Sequence, residues 1–247
     1  MLAARLFSLL ALIALWVVAA HFSDARHLPG PGAVFAAMGK AAASGELFSA
    51  MAITLARVTA AFTFAMALGS ALGYAMGRSV LVDRLADGWI VVLLNLPALV
   101  IIVLLYIWVG LNETAAIAAV ALNKLPNATV TIREGTRALD PGLDEMARAF
   151  AFSPWKRLRH VVLPQLAPYV AAATRSGLSL VWKIVLVVEL LGRPNGVGFE
   201  INEAFQLFDV ALLLAYALPF TGAMLIIEAL VVQPFERRVS RWRPRPA

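Results

Sequence analysis

The 247-residue chain has no cysteine and only three histidines, His21, His27 and His160, scattered along its length. The first absence excludes disulfides and thiolate metal sites. The second leaves no ligand spacing for a zinc ion. Charge is scarce as well: 15% of residues are charged against 61% apolar, a balance foreign to soluble globular domains. No phosphate-cradling glycine loop, nucleophile elbow or zinc-protease motif occurs, so the chain shows no catalytic apparatus of its own. What it has instead is long apolar sequence.

A helix needs about 20 apolar residues to cross a bilayer. Six runs approach or exceed that length: 6–22, 52–77, 90–109, 114–132, 167–191 and 210–233. The runs are continuous rather than alternating, which argues for helices over a barrel. The net charge of +6 would suit nucleic acid, but its distribution argues for membrane topology instead. With the N-terminus inside, one side carries Arg5, Arg78, Arg84, Arg133, Arg137, Arg148, Lys156, Arg157, Arg159 and the tail arginines 237, 238, 241, 243 and 245. The other carries Arg26, Lys40 and Arg193. That is 14 against 3, and the positive-inside rule places both termini in the cytoplasm. The basic tail then reads as an orientation signal beside anionic lipid, not as a nucleic-acid site. The first run also resembles a signal peptide. An uncleaved first span is the expectation. The expected organisation is a first span and periplasmic segment over 1–50, a core over 51–235 and a basic tail over 236–247.

Residues 140–164 form a charged island between apolar blocks. Asp140-Pro141 and Ser153-Pro154 each pair a side-chain cap with proline at the first helical position. Pro164 is expected to close the unit, because proline cannot continue a helix without losing a bond. The island therefore reads as two short helices joined by a turn, outside the lipid on the cytoplasmic side, with the form of a docking knob.

Polar residues inside the apolar runs are the second informative feature. The third run contains Asn95 and Pro97, a break that either lines a pathway or kinks the helix. The fourth contains Asn123 and Lys124, and a lysine at that depth has to face a cavity, a partner or another subunit. The fifth contains Arg175, which can snorkel, and the deeper Lys183 and Glu189, six residues apart on different faces. These groups suit either a cationic path for an anion or structural pairs between helices. Gly69, Gly73 and Gly77 share one face of the second span and admit a close neighbour, within the chain or across a dimer. Outside the spans, 33–43 and 197–208 read as short helices. The segment from Arg193 through Asn195 and Gly196 to Gly198 is either an ordinary connection or a gate touching an external partner.

The island resembles the coupling motif of binding-protein-dependent ABC importer permeases. Glu145, Met146 and Ala147 stand for its Glu-Ala-Ala triplet, Ala151 for its glycine, and Leu163-Pro164 for its closing pair. Phe152-Ser153-Pro154-Trp155 fits the turn between the two coupling helices. Met146 and Ala151 depart from the pattern, and Ala151 is the more serious departure if the glycine serves a positive φ. The likeness covers roughly 50–235 and is nearest to the nitrate, sulfonate and taurine group. Ser44-Gly45-Glu46-Leu47, 108–113, Asp144–Arg148 and Arg193–Gly198 are in keeping with that group. The resemblance implies an all-α membrane protein of six transmembrane helices with a two-helix coupling segment, in the bacterial inner membrane. It implies a second permease copy, a cytoplasmic ATPase dimer that uses ATP and magnesium, and a periplasmic solute-binding protein. This chain itself would bind no cofactor. The expected cargo is a small anion such as a sulfonate, taurine or nitrate. The alternatives are a non-anionic solute such as a vitamin precursor, a membrane scaffold, or an ion-coupled transporter using Lys183 and Glu189.

Overall fold

The computed structural model describes residues 2–24 and 26–239, and every regular element among them is helical. The tail arginines 241, 243 and 245 lie outside the described residues. Arg237 and Arg238 are exposed in the last helix. In chain order the helices are α1 (Leu2–Phe22), α2 (Pro31–Ala43), α3 (Glu46–Arg78), α4 (Val80–Asn95), α5 (Ala98–Val109) and α6 (Glu113–Arg137). Then come α7 (Pro141–Ala149), α8 (Pro154–Arg157), α9 (Leu163–Gly192), α10 (Val197–Gln206), α11 (Val210–Ile227) and α12 (Gln233–Val239).

Among the described residues, four stretches are long and apolar enough to cross a membrane: 46–78, 113–137, 154–192 and 210–238. A fifth arises if α4 and α5 count as one span, although they meet at 102°. The bend falls at Leu96-Pro97, where the residue before proline is held extended (ψ 126°). The break expected at Asn95 and Pro97 is therefore a sharp bend between two helices, and the first of them begins at Val80, before the apolar run. The apolar part of α1, Leu10–Phe22, is shorter than the others.

Pro164 does not end the coupling segment. Helix continues from Pro154 to Gly192, 39 residues in all, because a π turn at Leu158–Val162 precedes the proline. The Leu163 N–H reaches back to the Leu158 carbonyl. An ordinary turn would set the proline ring against the carbonyl four residues earlier, and the wider turn relieves that clash. The same device recurs at Glu228–Val232, just before Pro234. At 1.5 Å per residue the 39-residue helix is about 58 Å long, well beyond a hydrocarbon core of about 30 Å.

The chain divides into two compact units, Met1–Ala56 with Glu189–Ala223, and Arg57–Val188 with Met224–Ala247. In the second unit, α3 and α6 pack through glycine. A side chain at Gly69 would come within 2.9 Å of the Leu125 carbonyl, one at Gly77 within 3.0 Å of the Arg133 carbonyl, and one at Gly73 would strike the Thr129 carbonyl. The glycine face thus serves packing within the chain. Val58, Ala61, Ile102, Tyr106, Ala119 and Val185 lie at the centre of this unit's core, and the Tyr106 hydroxyl donates to the Val188 carbonyl at 2.8 Å.

Candidate functional site

The island folds as two capped helices. Asp140 Oδ1 accepts from the Gly142 N–H at 2.8 Å, and Ser153 Oγ accepts from the Lys156 N–H at 3.3 Å. Both prolines stand at the first helical position. Between the helices, α7 ends in a Schellman turn: the Phe152 N–H bonds the Ala147 carbonyl and the Ala151 N–H bonds the Arg148 carbonyl, each at 2.9 Å. Such a turn requires a left-handed residue, and that residue is Ala151, with φ +48°. The motif's glycine position is therefore a left-handed helix stop, and here alanine occupies it.

One carboxylate organises the unit. Asp144, with a side chain 18% exposed, receives Nε and Nη2 of Arg157 at 2.6 Å each and Arg148 at 3.0 Å, and it faces Arg78 at 3.7 Å. Arg157 ties α8 to α7, and Arg78 ties both to the end of α3. Partial burial works against the charged carboxyl, but the bonds and charges of Arg157, Arg148 and Arg78 outweigh it and hold the group below its usual range. Gln165 of α9 accepts from the Asp140 N–H at 2.9 Å, a second clamp at the start of α7. A cavity of about 340 Å³ lies beneath, lined by Arg78, Arg137, Asp144 and Gln165 among others.

These clamps leave a defined surface free. Ala147 is buried, whereas Glu145 is exposed and Leu143, Met146, Phe150 and Trp155 are 40%, 39%, 73% and 67% exposed. Lys156 stands 4.2 Å above the Phe152 ring. Leu163 is half exposed. An apolar patch edged by charge, on helices that are pinned from behind, is the form of an interaction site.

The polar residues of the spans fall into different settings. Asn95 is exposed at the α4–α5 bend, its amide donating to the Val91 carbonyl at 2.8 Å. Asn123 is half-buried and donates to the Ala119 carbonyl at 2.9 Å. Lys124 is 1% exposed and lies across Gly177 of α9. Lys183 is exposed and sits 5.6 Å from the Trp182 ring. Arg175 pairs with Glu236 at 2.9 Å. Glu189 is fully buried in the first unit, where it accepts from the Thr54 hydroxyl at 2.9 Å and the Gly198 N–H at 2.8 Å. The Thr54 oxygen in turn accepts from the Val197 N–H. A buried carboxylate at the start of α10 meets the free N–H groups and positive end of that helix. Gly196 has φ +106°, and any side chain there would collide with the Glu189 carboxylate. The Arg193 N–H caps α9 at the Glu189 carbonyl, with Pro194 and Asn195 forming the turn that follows.

The sequence reading missed Arg57 and Thr54. Arg57 is 4% exposed and grips Glu113 through two bonds, Nε at 2.9 Å and Nη2 at 2.5 Å. Its signal was available: a lone arginine inside the second apolar run needs an acid, and Glu113 follows the Asn112 cap of α6.

Residues 65–241 match the family described as "Binding-protein-dependent transport system inner membrane component". The chain belongs to this family and is a permease of an ABC importer. It is 35% identical to the putative aliphatic sulfonates transport permease protein SsuC of Escherichia coli, over 94% of this chain and 89% of that one. It is 24% identical to the taurine transport system permease protein TauC of the same organism, over 79% and 71%. It is 28% identical to the riboflavin transport system permease protein RibX of Chloroflexus aurantiacus, over 95% and 88%. Among solved structures, an inward-facing form of the MetNI methionine ABC transporter shares the fold, with TM-score 0.68 and 17% identity over 79% of this chain and 97% of that one.

Proposed function

We propose that this permease imports aliphatic sulfonates across the bacterial inner membrane, delivered by a periplasmic binding protein and driven by a cytoplasmic ATPase dimer beneath a pair of permease copies. The observation that carries the drive mechanism is the knob of α7 and α8. Its patch of Leu143, Met146, Phe150 and Trp155 is exposed, while Asp144 and its arginines brace it from behind. A surface transmits motion only if it cannot deform under load, and caps, ion pairs and a continuous helix into α9 supply that stiffness. ATP binding closes the ATPases, the knobs approach one another, and α9 carries the displacement into the membrane. Glu145, exposed beside the apolar patch, contributes a charged contact at its rim, where charge sets register and rate more than affinity.

The cargo reading draws on likeness to SsuC and TauC and on Lys124 and Lys183, which have no ion pair among the described residues. The positive-inside bias sets both termini and the knob in the cytoplasm. A non-anionic cargo is the second reading, favoured by the likeness to RibX.

The test is reconstitution in liposomes with the partner ATPase and binding protein. Hexanesulfonate accumulates inside only with ATP, and riboflavin does not. In Glu145→Gly, hydrolysis continues and accumulation is lost. Riboflavin uptake without sulfonate uptake overturns the cargo, and normal transport by the variant overturns the coupling role.

A further inference from the structure

We propose that α6 and α9 form one water-filled wall of the path, an anion site with Lys124 at its floor. The proposal rests on the permease reading above and assigns a place in the chain to the sulfonate group.

Helices α6 and α9 meet at Lys124 against Gly177 and at Gly135 against Tyr169. Numbers rise along one helix as they fall along the other, so the pair is antiparallel. On α6, Asn123 precedes the contact residue Lys124 by one position, and Asn127 falls about 60° short of a full turn beyond it. On α9, Ser176 precedes Gly177 by one position, and Lys183 falls about 120° short of two turns beyond it. In an antiparallel pair of right-handed helices these offsets open onto the same flank. The two sets therefore border one groove.

That groove is polar and open. Asn127, Ser176 and Lys183 are exposed, and Asn123 and Thr131 are half-buried. Many exposed positions elsewhere on the spanning helices are apolar, as at Val103, Ile107, Leu225 and Ile226, and suit lipid, while the exposed Thr63 and Thr221 hydroxyls bond carbonyls of their own helices. Asn123, Thr131 and Ser176 likewise bond carbonyls of their own helices, so the groups here that hydrocarbon does not suit are the exposed Asn127 amide and the Lys183 ammonium. Lys124 is the second observation. Its side chain is almost fully buried, and among the described residues it has neither an ion pair nor a hydrogen-bond partner. A buried ammonium without a counter-charge needs water or an anion. Gly177 keeps its space open, since any side chain there would fill the place of the lysine. Lys124, with amide and hydroxyl groups beside it, suits a monoanion with three acceptor oxygens, and Lys183 stands about 9 Å further along α9.

The cysteine-free chain makes the test direct. Asn127→Cys and Ser176→Cys are placed singly in the full complex in liposomes, with Ile226→Cys as the lipid-facing reference. Each is labelled with the membrane-impermeant 2-sulfonatoethyl methanethiosulfonate and with its trimethylammonium analogue. The groove cysteines react faster than the reference, and the sulfonate reagent leads its cationic analogue by roughly tenfold, the scale on which a charged cleft raises encounter rates. Hexanesulfonate slows the labelling, and Lys124→Met abolishes the preference for the anionic reagent. Labelling no faster than at Ile226, or a preference for the cationic reagent, overturns the proposal with Lys124 intact and needs no variant there to fold. Uptake of hexanesulfonate by the unmodified complex is scored separately. A dry groove in a complex that still imports sulfonate overturns the site alone.

Discussion

At the scale of single residues, Ala151 and Asp144 set the character of the coupling unit. A non-glycine residue in left-handed geometry costs about 1 kcal/mol, so Ala151→Gly should stabilise the turn between α7 and α8 by that amount. Hydrogen exchange at the Phe150–Phe152 amides reads this directly, and it should slow. Asp144 acts in the opposite sense. Its folded carboxyl is held below the ordinary value of about 3.9. Its contribution is therefore complete above that value and is lost only as pH falls through the lowered one. Between pH 5 and 8 the contribution is flat. Asp144→Asn, which removes the charge holding three guanidinium groups, should cost about 1.5–3 kcal/mol at neutral pH. It should also abolish the acid-dependent share of the loss, as seen in thermal midpoints measured against pH.

At the scale of elements, what the sequence revealed depended on whether a signal was local. Caps, proline starts and glycine stops act within four residues, so α2, α7, α10 and the start of α8 were legible to within one or two positions. Pro164 misled because its effect depends on the turn before it. Nothing in Leu158–Val162 announces a widened turn, and it forms because the helix gains more by continuing into α9 than by stopping. The α4–α5 bend was half legible: Pro97 marked the break, but the start of α4 at Val80 lies in polar sequence that apolar counting excludes. The Gly69, Gly73 and Gly77 face was visible, and its partner was not, since choosing between α6 and another copy requires the third dimension. Gly73 stands against the backbone of α6, which cannot move aside as a side chain can. Gly73→Leu should therefore destabilise the second unit by about 1–3 kcal/mol or more, measured as a lower thermal midpoint in detergent. Ile226→Leu serves as the tolerated comparison.

At the scale of the whole molecule, the charge asymmetry and the apolar runs carried the class, and the coupling motif carried the family. The candidate site divided along the same line as the elements. The knob was readable because its charges and caps are contiguous in sequence. The groove was not, because Asn127 and Ser176 are 49 positions apart and become neighbours only through the antiparallel packing of α6 on α9. Glu189 shows the reverse. In sequence it belongs with Lys183 as an intramembrane charge, yet its bonds to Thr54 and Gly198 give it to the base of α10.

The π turn at Leu158–Val162 has one more consequence. It carries an extra residue in a single turn, so it shifts the phase of the helix by about 100°. The face that Trp155 presents and the face that Ser176 and Lys183 present belong to one uninterrupted rod, yet their azimuths are set independently. Removing one residue from that turn would re-phase the knob against the membrane half while leaving every side chain of either half in place.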